Sequence, residues 1–181
     1  MRRALALFIL LALGATGCGY QVVRVSDAFG TANRIAIHGF RNDTMEAGVD
    51  SVVTDALARE VMQRGALRMI DDPGSADWVL TGVVSRLDVY NRSFSSVSFS
   101  LEYEVRLVLD VVIERRDGTR LVLDPQTTQG RERYLASADA EVARTNREEA
   151  IRRIASQLAA RIHDAFYERV AVGTGTGSPA P

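Results

Sequence analysis

The sequence has a single cysteine and no lysine in 181 residues. One thiol cannot close an internal disulfide, and alone it cannot chelate a metal. The lack of lysine makes all 22 basic residues arginines, set against 23 acidic ones for a formal charge of −1. A chain so balanced has no global positive field, so no nucleic-acid partner is expected. Histidine is also scarce, with only His38 and His163, and no GxSxG, HExxH or phosphate-loop pattern occurs. His38 closes a strand pattern and His163 stands on an apolar helix stripe, so each lone histidine reads as structural rather than as a ligand. Asp71 and Asp72 precede Pro73-Gly74 without the acidic spacing of a calcium loop, and read as a solvated turn. These shortages predict a protein that is not an enzyme and has no metal site and no cofactor.

Long hydrophobic runs are missing too. The longest is the apolar stretch at residues 4–13, preceded by Arg2-Arg3 and followed by the small residues Gly14-Ala15-Thr16-Gly17. It is shorter than the roughly 20 apolar residues that cross a bilayer, and its three-part order is that of an export signal, residues 1–17, which is cut off. The sole cysteine, Cys18, comes next. Ala15-Thr16-Gly17-Cys18 resembles the bacterial lipobox, in which the thiol receives a diacylglycerol and the freed amine an N-acyl chain. The alternative, an ordinary export signal followed by a free thiol, leaves an exposed reactive cysteine in an oxidising compartment. Acyl chains contribute ~0.8 kcal/mol per buried CH₂, so several of them make a stable anchor. Gly19, rather than an aspartate, follows the cysteine, and the resemblance to sorted lipoproteins therefore favours the outer membrane. Residues 18–33 are read as a lipid-anchored linker, and 171–181, rich in Gly, Thr, Ser and Pro, as a disordered tail.

Between them, residues 34–170 read as one α/β domain. Residues 34–40 alternate like a short strand, and Arg41-Asn42-Asp43-Thr44 is turn and cap chemistry. From Val49, the apolar positions Val52, Val53, Ala56, Leu57 and Val61 form a helical stripe that Gly65 closes. Short strands at residues 67–70 and 78–84 follow, separated by the turn at Asp72-Pro73-Gly74, so a βαβ crossover is expected. Trp78, at a strand start, reads as core packing rather than as a binding aromatic. In residues 97–113 every odd position is apolar and most even ones are polar, which describes a long strand with one buried and one wetted face. Asp117-Gly118 then turns it into an antiparallel partner starting at Arg120. The last helix is expected to open at Asn146 as N-cap, with Ile151, Ile154, Ala155, Leu158, Ile162, Ala165 and Phe166 as its apolar stripe. The predicted fold is a two-layer α/β sandwich, two amphipathic helices on one face of a four- to five-stranded mixed sheet.

The sequons Asn42-Asp43-Thr44 and Asn91-Arg92-Ser93 read as turn residues. Residues 90–99 alternate aromatics with serines around Arg92, and admit two readings, an ordinary long hairpin or a projecting surface that meets a membrane protein or an amphiphile. Tyr90, Phe94 and Phe99 are the candidate contacts. Arg92 offers bidentate contact to phosphate.

Cys18-Gly19-Tyr20, then Ile35-Ala36-Ile37-x-x-Phe40-x-Asn42-x-Thr44, then Ala76-Asp77-x-Val79-Leu80-x-Gly82, resembles the lipopolysaccharide-assembly lipoprotein family, LptE. Tyr103-x-Val105-x-Leu107-x-Leu109-x-Val111, Asp117-Gly118, Tyr134 and the alanine-rich last helix continue the likeness, which covers residues 18 to about 169. The resemblance implies a non-enzymatic plug for the large outer-membrane β-barrel, LptD-like, that inserts lipopolysaccharide into the outer leaflet. It also implies lipopolysaccharide binding through basic residues in the loop before the long central strand and near the loop before the last helix. Arg92 matches the first position. Ser137-Ala138-Asp139 in the second has no basic residue, and Arg133 and Arg144 are the nearest. A generic periplasm-facing scaffold lipoprotein that binds another envelope protein is the competing expectation.

Overall fold

The structure, a computed structural model, describes residues 29–94 and 100–175. Its elements run β1 (Arg34–Ile37), β2 (Arg41–Asn42), α1 (Val49–Arg64), β3 (Arg68–Met69), β4 (Trp78–Phe94), β5 (Ser100–Arg115), β6 (Arg120–Val122), β7 (Gln129–Leu135) and α2 (Ala140–Gly175). A single 3₁₀ turn, Pro73–Ser75, lies before β4.

The strand–helix–strand unit forms as its sequence dictates. The apolar stripe of α1 buries Val49, Val53, Ala56, Leu57 and Val61, the three valines and the leucine each contributing roughly 1.5–3 kcal/mol once removed from water. Gly65 ends the helix in the left-handed region at φ 66°, its N–H bonded to the Val61 carbonyl, a conformation that costs a residue with a Cβ. The chain then returns as β3, parallel to β1, with Arg34 opposite Arg68. Before the helix, the Asn42 side-chain oxygen accepts from Thr44 N–H and Thr44 Oγ1, and Asn42 Nδ2 donates to the Glu46 carbonyl. Asn42 and Thr44 thus build a turn but do not cap α1, which starts after Gly48 with no side-chain cap.

The sheet order is β3-β1-β4-β5-β6, with β2 beside β4 and β7 beside β5. β1 and β2 run parallel to β4, and β4, β5, β6 and β7 pair antiparallel. Among the described residues the sheet has seven strands where four or five were expected; the additional ones are β2, two residues long inside a stretch read as a turn, and β7, in which only Gly130 is buried. β4 reaches Phe94, ten residues beyond the expected end of its strand, so Asn91-Arg92-Ser93 lies in a strand and not in a turn. In β5 the odd positions Val105, Leu107, Leu109, Val111 and Ile113 are buried, as the alternation predicts.

Both helices cover that buried face. α2 lies across β7, where Gly130 lets it come close: a Cβ on Gly130 would sit 2.7 Å from Ile154 Cγ2. The stripe Ile151, Ile154, Ala155, Leu158, Ile162 and Phe166 is buried as expected. The helix begins at Ala140, six residues before the expected start. Asp139 accepts from the amides of Glu141 and Val142 and so takes the cap position assigned to Asn146. Asn146 lies inside the helix and donates to the Leu135 carbonyl at 3.1 Å. At the other end α2 continues to Gly175, past the residue 171 boundary read from composition. The core also starts earlier than Arg34, since Phe29 is buried against Phe166 and Tyr167. Trp78 is core, as expected, with its indole N–H donating to the Ala32 carbonyl at 2.8 Å.

His163 is buried where α2 meets α1, and neither ring nitrogen has a hydrogen-bond partner among the described residues. The charged groups around it are Arg64 and Glu60 of α1 and Asp164 of its own helix. Asp164 Oδ1 is 3.7 Å from Nδ1, beyond hydrogen-bond range. Burial first, and then Arg64, hold the imidazole below its ordinary value of 6.5. As pH falls below that value the unfolded chain takes up a proton that the folded one resists, so stability falls until the folded group also titrates. Chemical denaturation between pH 7 and about 5 should show this decline, and His163→Leu should remove it while raising stability at pH 7 by about 1 kcal/mol. A wild-type slope retained in the variant would assign the decline to another group.

Candidate functional site

The helix-free face of the sheet carries the site. There the even positions of β5 stand between β4 and β7, and the row Tyr90–Glu104–Arg133 crosses all three strands. Arg92 joins this row through a register shift. Asn91 faces Tyr103 and Ser93 faces Glu102, leaving Arg92 as the extra residue of a bulge, a device that re-aims a side chain. Its Nε lies 3.7 Å from Glu104 Oε2. Arg133 approaches the same oxygen at 3.9 Å and Glu102 at 3.9 Å. Glu104 is only 13% exposed, whereas Arg92 and Arg133 are 46% and 58% exposed. One sheltered carboxylate therefore gathers two solvent-facing guanidinium groups from strands on either side of it.

Tyr90 is exposed on the same row, and its hydroxyl donates to Asp88 at 3.0 Å. Phe94 ends β4 with its Cα opposite Ser100. Cys18, Phe99 and the side chain of Phe94 lie outside the described residues. Arg144 stands apart from the Glu104 cluster, held by Glu141 and Glu148 of its own helix. These carboxylates push its pKa above the ordinary guanidinium range. Glu102 and Glu104 were legible only as polar positions on a wetted face, and nothing in the sequence signals that Glu104 joins two of the arginines. The bulge at Arg92 has no sequence signature.

On the other face of the same region Tyr103 stacks on Tyr134, with centroids 5.4 Å apart and planes at 19°. Beside Tyr134 lie Arg147 and Glu46, which pair with each other across the domain. Burial pushes the Tyr134 hydroxyl above its ordinary value. The stack ties β5 to β7 where the sheet runs past α1.

Among the described residues no group of three or more His, Cys, Asp or Glu is placed to hold a metal ion. His38 is exposed, with its backbone N–H bonded to the Leu80 carbonyl. No helix among those residues is long and apolar enough to cross a membrane.

A parallel βαβ unit continued by a long antiparallel hairpin, with both helices on one face and arginines gathered on the other, defines a two-layer α/β domain with an open, charged sheet face. The chain belongs to the LptE lipopolysaccharide-assembly family, whose sequence model matches residues 32–166. A comparison with curated proteins gave no match. Among solved structures the fold is similar to that of rare lipoprotein B from Shewanella oneidensis, at 15% identity and TM-score 0.55, covering 79% of this chain and 99% of the other. It is also similar to a lipoprotein from Caulobacter crescentus, at 14% identity and TM-score 0.51, covering 81% and 96%. CT253 from Chlamydia trachomatis shares the fold at 9% identity and TM-score 0.52, covering 77% and 98%. At these identities the likeness is one of fold.

Proposed function

We propose that this domain is a non-catalytic outer-membrane lipoprotein, tethered through acyl chains on Cys18 at the periplasmic side. In this reading it plugs and helps assemble the β-barrel that inserts lipopolysaccharide, and it binds lipopolysaccharide in transit. Family membership supports the setting. The observation that carries the binding role is the convergence of Arg92 and Arg133 on Glu104. Contacts of 3.7 and 3.9 Å from two half-exposed guanidinium groups to one sheltered carboxylate are long and screened on the arginine side, worth about 0–1 kcal/mol. They are therefore cheaply exchanged for phosphate oxygens, which a guanidinium can bind in bidentate fashion. Tyr90 adds an aromatic surface on the same row for acyl chains.

The test is a pulldown of lipopolysaccharide by the full lipoprotein. Arg92→Glu with Arg133→Glu should cut retention by about tenfold or more, as loss of two charge-assisted contacts requires. Unchanged retention would end the role assigned to these arginines. The plug role is tested separately by purification from outer membrane in mild detergent, where failure to recover a large β-barrel protein would overturn it.

A further inference from the structure

Among the described residues the outer edge of β7 is unpaired, and β7 bonds to β5 alone. Which backbone groups face outward follows from three independent contacts. Leu109 N–H donates to the Thr128 carbonyl, which by alternation turns Gly130, Glu132 and Tyr134 toward β5 and Gln129, Arg131, Arg133 and Leu135 away from it. Consistently, Arg161 Nη2 donates to the Gln129 carbonyl at 2.6 Å and Asn146 Nδ2 to the Leu135 carbonyl at 3.1 Å. Side chains of α2 thus cover the two ends of the edge. Between them the N–H and C=O groups of Arg131 and Arg133 have no partner among the described residues.

This open stretch faces a groove with α2 as its second wall. Toward the β6 side the groove has a volume of about 750 Å³ and is lined by Gln129, Gly130, Arg131, Gln157, Ala160 and Arg161 among others. A second depression of about 220 Å³ lies at Arg133, Leu135, Asn146 and Arg153. A strand edge beside a helix is the geometry in which an extended peptide adds to a sheet and drops alternate side chains into the groove.

We infer that this groove receives an extended acidic segment of a second polypeptide, added as a further strand along β7. Charge selects the occupant. The side chains of Arg131 and Arg133 lie on the helix-free face and would be cross-strand neighbours of every second residue of the incoming segment, about 5 Å away. Like charges there exclude a second copy of β7, and carboxylates are favoured. Among the described residues Arg131 and Arg161 make no ion pair, and Arg133 makes only long ones. Arg153 is the exception, occupied by Glu132 and Glu149. The alternate residues would point into the groove toward α2, beside Gly130 and Ala160 on its walls. Leu135, 68% exposed at the end of the edge, adds an apolar contact. This inference does not depend on the lipopolysaccharide reading.

The probe is a blocked peptide of alternating valine and glutamate as long as β7, seven residues, titrated into the full lipoprotein in detergent by fluorescence anisotropy. Hydrogen exchange is followed over residues 129–135. Saturable binding that slows exchange there is expected, with loss of binding when alternate peptide amides are N-methylated or glutamate is replaced by lysine. Arg131→Glu should weaken binding about tenfold, as removal of a charge-assisted contact does. Arg131→Pro, which deletes one outward N–H at an edge position that tolerates proline, should do so without reversing the charge. Thermal melts confirm that each variant is folded, and neither substitution touches Arg92 or Arg133, so lipopolysaccharide retention should be unchanged. The inference is overturned by no binding at millimolar peptide, by equal binding of the lysine or N-methylated peptide, or by protection of residues 129–135 from phosphatidylglycerol micelles but not from peptide.

Discussion

Phe166→Ala should lower the stability of the domain by about 4 kcal/mol, the range for deleting a fully buried phenylalanine. The ring is 2% exposed and joins three parts of the chain. Its centroid is 5.0 Å from Trp78 in an edge-to-face contact at 77°, and 5.2 Å from Phe29. Trp78 starts β4, and Phe29 belongs to the segment before β1. Removal therefore forfeits apolar burial and two aromatic pairs worth about 0.5–1.5 kcal/mol each, and it leaves a cavity that stiff neighbouring strands cannot close. Trp78 is the only tryptophan, so its fluorescence reports urea unfolding directly. Phe166→Leu, which keeps most of the volume, should cost about 1.5 kcal/mol. Limited proteolysis should also cut the alanine variant near Phe29 sooner than the parent. A loss under about 1 kcal/mol would mean that this aromatic group does not tie the N-terminal segment to α2.

The elements that could be read from sequence are those whose burial follows a simple period. The α1 stripe, the odd positions of β5 and the later α2 stripe each present one apolar side to one core, so periodicity alone located them. The misses share a different physics. Residues 129–135 of β7, Gln-Gly-Arg-Glu-Arg-Tyr-Leu, form an edge strand in which only Gly130 is buried, so no apolar alternation announces it. The first turns of α2 are held by Asp139 and by the Glu141–Arg144–Glu148 ladder, without an apolar stripe, and the search for one began the helix too late. Among the site residues, Arg92 was legible as the arginine before the long central strand and Arg133 as one of the two nearest the loop before the last helix. Their meeting at Glu104 depends on strand register and on one bulge, neither of which a single sequence encodes locally.

Gly82→Val should cost about 3 kcal/mol, the upper range for inserting bulk into a packed site, although Gly82 lies in a strand where valine is ordinarily preferred. A Cβ at this position would fall 2.2 Å from Phe40 Cε1 and 2.4 Å from Cζ. The Phe40 ring lies flush on the β4 backbone, is 5% exposed, and is fixed from behind by its own N–H, which donates to Thr54 Oγ1 at 3.1 Å. It cannot swing clear without leaving the core. The two motif segments that resemble the family, Phe40-x-Asn42-x-Thr44 and Asp77-x-Val79-Leu80-x-Gly82, are thereby explained as two sides of one junction. Phe40 seats on Gly82, Asn42 and Thr44 fold the turn that leads into α1, and Asp77 receives the Arg34 guanidinium at 3.0 Å at the start of β1. Together they fix where β1 leaves the sheet and the crossover begins. A double-mutant cycle isolates the contact: with Phe40 already cut to Ala, valine at 82 should cost at least about 1.5 kcal/mol less than it does beside the full ring. Additive costs in that cycle, or a single Gly82→Val variant within about 0.5 kcal/mol of the parent, would show that the junction tolerates a side chain here and that the glycine serves some other end.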